Sequence, residues 1–197
     1  ELRKVRAYIR NVSPKGEFEY LFLEYFDQME AWADAALKSL KASGYKQLYQ
    51  QSIDAGYMMH GEYNYHNILF DATSGKDNYG HRKLNVYTMN FDHFKKNVQV
   101  EDLYYFLRKA MEKQGFKEWI SDGILNAYSA IIPLGKNELE YLKNRLMYPE
   151  KFFKVANSYY HSNKAWISIK NVEKMQMAVR QMNEKEHFLN HFFDARI

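Results

Sequence analysis

HGEYNYHN at residues 60–67 runs directly into the apolar residues ILF at 68–70, and this stretch decides the fold that we expect for the chain. A second stretch, VYTMNFD at residues 86–92, follows after a polar connection. In each of them, a short run with the apolar character of a β-strand adjoins polar side chains. The two stretches therefore predict two strands whose polar ends contribute to one site.

The composition indicates one globular domain. The length of 197 residues suits a single domain, and 46% hydrophobic with 26% charged residues is typical of a folded protein. The 17 Tyr and 13 Phe predict a core rich in polar-tipped rings, and the presence of only 3 Pro and 9 Gly favours helix. No apolar run approaches the roughly 18 residues that span a bilayer, so no membrane partner is expected.

Charge and cysteine content exclude several kinds of site. The net charge of +4 is modest and the lysines are scattered among acidic residues, which favours a solvated surface over a nucleic-acid interface. The absence of Cys excludes disulfides and thiolate metal sites and fits a reducing compartment. No signal peptide is visible, and because the chain starts with Glu1, we expect it to be a piece of a longer protein.

Apolar residues recur every three or four positions over most of the chain, which predicts a mainly helical fold. A long helix over 18–40 is expected to end at Ser43-Gly44 through a glycine cap, and a second helix over 45–55 to end at Gly56. We interpret the helical stripes as core rather than as cofactor-binding surfaces. Strands are predicted over 57–59, 67–71 and 84–91, with an exposed hairpin connection over 73–83. Further helices are predicted over 1–9, 100–111 (capped near Gly115), 120–131, 139–146, 152–159 and 172–193.

The two central stretches resemble parts of a known phosphotransferase site. HGEYNYHN is similar to the catalytic loop of the aminoglycoside-phosphotransferase and choline-kinase branch of kinase-like folds, whose pattern is H-G-D-x-x-x-x-N. VYTMNFD resembles the metal-binding turn of those folds, in which hydrophobic residues lead into an Asp. Each stretch departs from the family at one residue, because Glu62 stands in place of the loop Asp and Asn90 stands in place of the turn Asp.

The resemblance implies chemical roles for four residues. A kinase-type loop needs a carboxylate that orients or accepts the proton of the substrate hydroxyl, an Asn that holds metal, and an Asp that bridges metal and phosphates. Glu62 and Asn67 are therefore the candidate catalytic residues, and Asn67 and Asn90 are candidate metal ligands. Asp92 is a third candidate ligand, since on a continuing strand it would point to the same face as Asn90 and compensate in part for the lost charge.

The two departures weaken this site. Glu62 keeps the charge but moves the carboxylate by roughly 1 Å, and a misplacement of that size can cost about a hundredfold in rate. Asn90 keeps an oxygen but removes a negative charge from a site for a hard divalent cation. The alternative interpretation is a polar turn packed by its own aromatic residues. A metal site on His60 and His66 is not indicated, because no third ligand accompanies them at a convincing spacing.

Two residues are expected to support the loop structurally. His60 is expected to pack under the loop and to fix it by a hydrogen bond. Asp102 lies in the first turn of the helix predicted over 100–111, and in kinase-like folds an Asp at this place holds the catalytic loop through backbone N–H groups. The alternative for Asp102 is an ordinary acidic residue at a helix N-terminus, which the helix dipole favours.

Four further motifs extend the resemblance over nearly the whole chain, from about residue 1 to 193. They are NFD at 90–92, VEDLYYF at 100–106, YPEKF at 148–152 and SNKAW at 162–166. Together they resemble the CotS-type spore-coat proteins of endospore-forming bacteria, a family similar to aminoglycoside phosphotransferases. The resemblance implies a kinase-like protein made in the cytoplasm of the sporulating mother cell and deposited in the spore coat.

A complete kinase-like protein has an N-terminal lobe with a strand Lys and a lid over the nucleotide phosphates. Only 59 residues precede His60, and they predict helices, with no glycine-rich loop and no Lys in a strand. We therefore expect residues 1–197 to form a single domain, the C-terminal lobe of a protein kinase-like fold that is mainly α with a small β-hairpin. The N-terminal nucleotide lobe is expected to be absent from this chain.

Two functional hypotheses remain open. In the first, the chain is a pseudokinase, a catalytically degenerate kinase-like protein that binds other spore-coat proteins or itself and needs no cofactor. In the second, the full-length protein is an active small-molecule or sugar phosphotransferase that uses ATP and magnesium. The pair Glu62 and Asn90 separates the hypotheses, because both residues depart from the catalytic pattern.

Overall fold

The computed structural model describes residues 2–71, 75, 84–161, 169–194 and 196–197. This part of the chain is mostly helical with two small antiparallel sheets, which confirms the prediction of a mainly α fold with a small β-hairpin. The predicted connection over 73–83, apart from residue 75, and the motif at 162–166 lie outside the described residues. The helices are α1 (Leu2–Asn11), α2 (Glu17–Ala42), α3 (Tyr45–Asp54), α4 (Val100–Gln114), α5 (Glu118–Ser129), α6 (Lys136–Met147), α7 (Glu150–Tyr160) and α8 (Ile169–Phe188). The strands are β1 (Met58–Met59), β2 (Ile68–Asp71), β3 (Asn85–Thr88) and β4 (Lys95–Lys96).

The glycines at the helix ends follow the sequence prediction in two places and depart from it in one. Gly115 caps α4 in the left-handed conformation, with its N–H directed to the carbonyl of Met111, and Gly56 after α3 is also left-handed. Gly44 has φ −68° and therefore does not form the predicted glycine cap of α2. A side chain at Gly44 would meet the side chain of Asn137 at 2.4 Å, so close packing on α6 explains this glycine.

Two hydrophobic cores lie within the described residues. The first core joins α4, α5 and α6 to the C-terminal π-helical turn Leu189–Phe193. The second core joins α1, α2 and α7 to α8. Because Val98 and Val100 are buried in the first core, the start of α4 is fixed beside the central loop.

The apolar stripe that the sequence predicts for α5, at positions 120, 124, 127, 128 and 131, is only partly correct. Ser121 and Leu125 are the buried residues of this helix, whereas Ala127 is exposed and Ile131 is 83% exposed. Because α5 ends at Ser129, Ile131 lies beyond the helix and does not share its buried face. None of the helices in the described ranges combines the length and apolar content that a bilayer span requires.

The two sheets hold the central stretches together. In the hairpin, Ile68 pairs with Thr88 and Asp71 pairs with Asn85. β1 pairs with β4, with Met58 opposite Lys96. β4 was not predicted, because two successive lysines carry no apolar signal and become a strand only by pairing with β1.

Candidate functional site

The loop after β1 and the turn after β3 lie side by side. A 3₁₀ turn at Tyr65–Asn67 leads from the loop into β2, and a second at Phe91–His93 leads from the turn towards β4. Because Ile68 is paired with Thr88, Asn67 faces the residues that follow β3, and the N–H of Met89 donates to the carbonyl of Asn67 at 3.0 Å. The structure thus brings the two predicted stretches into one site.

Asp102 contacts the start of the loop from the first turn of α4. One carboxylate oxygen accepts the N–H of His60 at 2.6 Å, and the other accepts the N–H of Gly61 at 3.0 Å. The contact is therefore bidentate and joins the loop to a helix that is fixed in the first core. Burial raises the pKa of the Tyr128 phenol, and the nearby charges of Asp102 and Glu138 raise it further, so this neighbour stays protonated.

His60 is buried beneath the loop, with 6% of its surface exposed. Its Nδ1 accepts the N–H of Glu62 at 3.1 Å, which leaves the proton of the neutral ring on Nε2. Nε2 lies 2.8 Å from the carbonyl oxygen of Met89 and donates to it. The ring of His60 also packs against Phe91, with 4.6 Å between centroids. His60 thus bridges the two stretches through both ring nitrogens.

Gly61 lies at a close approach of the loop to the turn. Its φ of +89° is in the region that side chains avoid, and a Cβ there would lie 2.4 Å from the carbonyl oxygen of His93. Any other residue at position 61 would therefore push the two stretches apart. The contribution of His93 to the site is a backbone carbonyl, which leaves no signal in the sequence.

The side-chain amides of Asn67 and Asn90 are hydrogen-bonded to each other. Asn67 is buried, and its Nδ2 donates to the carbonyl of Glu62 at 2.9 Å. Its Oδ1 accepts a hydrogen bond from Nδ2 of Asn90, also at 2.9 Å. Asn90 has φ 63°, a left-handed conformation that Asn adopts more readily than most residues. Two of the three predicted metal ligands, Asn67 and Asn90, therefore lie in the site and are hydrogen-bonded to each other.

The two carboxylates predicted for the site do not join this pair. The side chain of Glu62 is 55% exposed, and its Oε1 lies 3.8 Å from Nε2 of His93. Asp92 is also exposed. The premise that placed Asp92 on the same face as Asn90 is wrong, because β3 ends at Thr88 and the chain then turns through the left-handed Asn90 into the 3₁₀ turn.

In the part of the chain that the structure describes, no three or more His, Cys, Asp or Glu side chains converge in a way that would hold a metal ion. The catalytic and metal roles assigned to Glu62, Asn67, Asn90 and Asp92 from the sequence stay predictions, as do the supporting roles of His60 and Asp102.

Comparisons with known proteins give one family and one solved fold. The model of the family described as "Spore coat putative kinase YutH" matches residues 1–192. The crystal structure of an aminoglycoside phosphotransferase from Alicyclobacillus acidocaldarius subsp. acidocaldarius DSM 446 superposes with a TM-score of 0.83 at 16% identity. The match covers 98% of this chain and 55% of that chain, so the chain spans about half the length of this structural relative. No curated protein matches the chain.

These findings confirm the resemblance inferred from the motifs, namely a spore-coat family with the kinase-like fold of aminoglycoside phosphotransferases. The matching family carries the name YutH. At 16% identity, the likeness to the phosphotransferase shows the fold alone.

Proposed function

This chain belongs to the spore coat YutH family, and from that premise we propose that it is a catalytically degenerate kinase-like protein that acts in the spore coat by binding. Its partners would be other coat proteins or further copies of itself, and it would require no cofactor. We also propose that it corresponds to the C-terminal lobe of its fold, which the 55% coverage of the phosphotransferase chain supports.

The hydrogen bond between Asn90 and Asn67 is the observation that carries this proposal. In a kinase-type site, the loop Asn and the turn Asp direct oxygen atoms at a divalent cation. Here the Oδ1 of Asn67 accepts an N–H of Asn90 instead. An N–H donor and a cation compete for the same oxygen, so the Asn90 amide takes the place of the metal. The Oδ1 of Asn67 therefore has a hydrogen-bond partner without any ion.

The charge around Asn67 supports the same conclusion. Mg²⁺ prefers near-octahedral oxygen ligands that include one or two carboxylates. The carboxylate of Glu62 is directed to His93, and the Oδ1 of Asn67 is bonded to an amide. The residues present therefore do not fit a magnesium ion, and we assign no phosphotransfer step to them.

Restoring the missing charge tests the proposal. In Asn90→Asp, a carboxylate oxygen would replace the amide donor and face the Oδ1 of Asn67, which is also an acceptor. Without metal, we expect this substitution to lower the free energy of unfolding by about 1–3 kcal/mol. Mg²⁺ should reverse this loss, because a cation can bridge the two oxygens. The wild-type chain should show no Mg²⁺-dependent stabilisation and no binding of magnesium–ATP by calorimetry.

Asn90→Gly is the matched control, because glycine accepts the left-handed backbone and removes the amide. It should stay insensitive to Mg²⁺. Magnesium-dependent ATP turnover by the wild-type chain, clearly above that of Glu62→Ala, would overturn the proposal in favour of a phosphotransferase. An Asn90→Asp variant that is as stable as wild type and indifferent to Mg²⁺ would show that the amide pair does not occupy a cation position.

A further inference from the structure

A pair of histidines lies on one face of the last helix, outside the site described above. His187 is in the last turn of α8, and His191 is in the π-helical turn Leu189–Phe193 that continues it. Both side chains are exposed. Their ring centroids are 4.2 Å apart and the ring planes differ by 17°, so the two imidazoles are stacked.

The π-helical turn explains why these rings coincide. Four residues of an α-helix rotate by about 400°, which offsets the side chains of residues four apart by roughly 40°. A turn with hydrogen bonds from residue i to i+5 winds more slowly and reduces this offset. His191 is therefore brought almost directly over His187. Single π-helical turns within α-helices occur frequently at functional sites.

We propose that His187 and His191 together bind a late first-row divalent cation, of which Zn²⁺ and Cu²⁺ are the best candidates. Imidazole nitrogens suit these ions and bind zinc at about 2.0–2.1 Å. A small rotation of the two exposed rings lets one nitrogen of each point at a shared ion. Mg²⁺ is a poor candidate, because it prefers oxygen ligands.

Water would complete the coordination of this ion. Asp194, one turn beyond His191, forms an ion pair with Lys143. Glu184, one turn before His187, lies beside Gly115. Over the described residues, no third His, Cys, Asp or Glu converges on the pair. The site is therefore a two-histidine chelate on the protein surface.

Calorimetric titration of the untagged 197-residue chain with ZnCl₂ tests this site. We expect one zinc ion per chain, and at least about a tenfold loss of affinity in His187→Gln and in His191→Gln, since even outer-shell partners are worth roughly 10–100-fold in metal affinity. His161→Gln removes an exposed histidine at the end of α7 and should leave the affinity unchanged. Circular dichroism of each variant verifies that the helices are intact.

Paramagnetic broadening by substoichiometric Cu²⁺ provides a second measurement. The imidazole NMR signals of His187 and His191 should broaden before those of His66, His93 and His161. Equal broadening of all exposed histidines, or a zinc affinity that survives both substitutions in the pair, would show that the rings are merely stacked and would overturn the proposal. The result does not depend on phosphotransfer, because neither residue belongs to the loop site.

Discussion

Asp102 satisfies two backbone donors at the point where β1 becomes the loop. If it holds the loop, Asp102→Ala leaves the N–H groups of His60 and Gly61 without their acceptor, and we expect the free energy of unfolding to fall by about 1–3 kcal/mol. Asp102→Asn keeps one acceptor oxygen, so its free energy of unfolding should fall by less. Urea denaturation of the three proteins provides the measurement.

Asp54→Ala is the surface control for this experiment. Asp54 accepts a hydrogen bond from Gln50 within the exposed end of α3, so its loss should cost little. If Asp102→Ala unfolds at the same urea concentration as this control, Asp102 is only an acidic residue at a helix start.

Individual site residues were predictable where a side chain carries the pattern. Glu62, Asn67 and Asn90 were identified from the resemblance to the catalytic loop and metal turn of kinase-like folds, and the structure places them along the same loop and turn. The hydrogen bond between the two Asn residues was not predictable, because it depends on the hairpin register and on the left-handed backbone of Asn90. The same backbone turn explains why the predicted position of Asp92 was wrong, because that prediction assumed that the strand continued.

The start of α7 is joined to α4 by a charged cluster around Glu150. The carboxylate of Glu150 accepts a hydrogen bond from Tyr104, and its Oε1 lies 3.3 Å from Nη2 of Arg108 and 2.6 Å from Nζ of Lys154. Burial alone would raise the pKa of Glu150. The Arg108 charge and the hydrogen bonds from Lys154 and Tyr104 outweigh burial, and they lower the pKa from 4.5 to about 2.

This lowered pKa makes the free energy of unfolding depend on acid. A carboxyl group whose pKa is lower in the folded state stabilises the protein above pH 4.5, and this stabilisation is lost as the pH falls towards 2. Between pH 6 and pH 3 the loss from Glu150 should be about 2 kcal/mol. Urea denaturation at pH 6 and pH 3 provides the measurement. The fall in the free energy of unfolding between the two pH values should be smaller in Glu150→Gln than in the wild type by about 2 kcal/mol.

Glu118→Gln, at the exposed start of α5, is the matched control, and its acid dependence should exceed that of Glu150→Gln. Identical pH profiles for wild type and Glu150→Gln would contradict the proposed ion pairing. A lower stability of Glu150→Gln at pH 6 is expected in either case, because Arg108 is buried and loses a charged partner.

Helices were more predictable than strands, for a physical reason. A periodic apolar face, as in α2 and α4, is a property of the segment itself, so the sequence contains the information. β4 and the role of Gly44 depend on a partner segment distant in sequence, which is Met58–Met59 for the strand and Asn137 for the glycine. The burial of Ser121 and the exposure of Ala127 in α5 likewise depend on how neighbouring helices pack.

Both faces of the hairpin formed by β2 and β3 are exposed within the part of the chain that the structure describes. Leu69 and Tyr87 are paired across the sheet, as are Phe70 and Val86, and all four side chains are more than half exposed. The N-terminal helix α1 packs on α2 and α7. Exposed apolar surface of this kind tends to find a partner.

We therefore expect the 197-residue chain to self-associate through this hairpin. Light scattering across a concentration series should show a rising mean mass, and the double variant Phe70→Ser/Val86→Ser should remain smaller at each concentration. Ile131→Ser, which removes an exposed apolar side chain elsewhere, should behave as wild type. A wild-type chain that is monomeric throughout the series would contradict the expectation.

The pairing of Met58 with Lys96 has a consequence for how this sequence can change. The chain leaves the helices at β1 and returns beside the same point at β4. The two ends of the intervening segment, residues 60–94, are therefore held together by strand pairing. Insertions, deletions or altered chemistry within it leave the path of the helices in place, provided that Asp102 can still reach the backbone of His60 and Gly61. A protein built in this way can lose a reaction and keep its fold, because the chemistry of the loop and the packing of the helices depend on different residues.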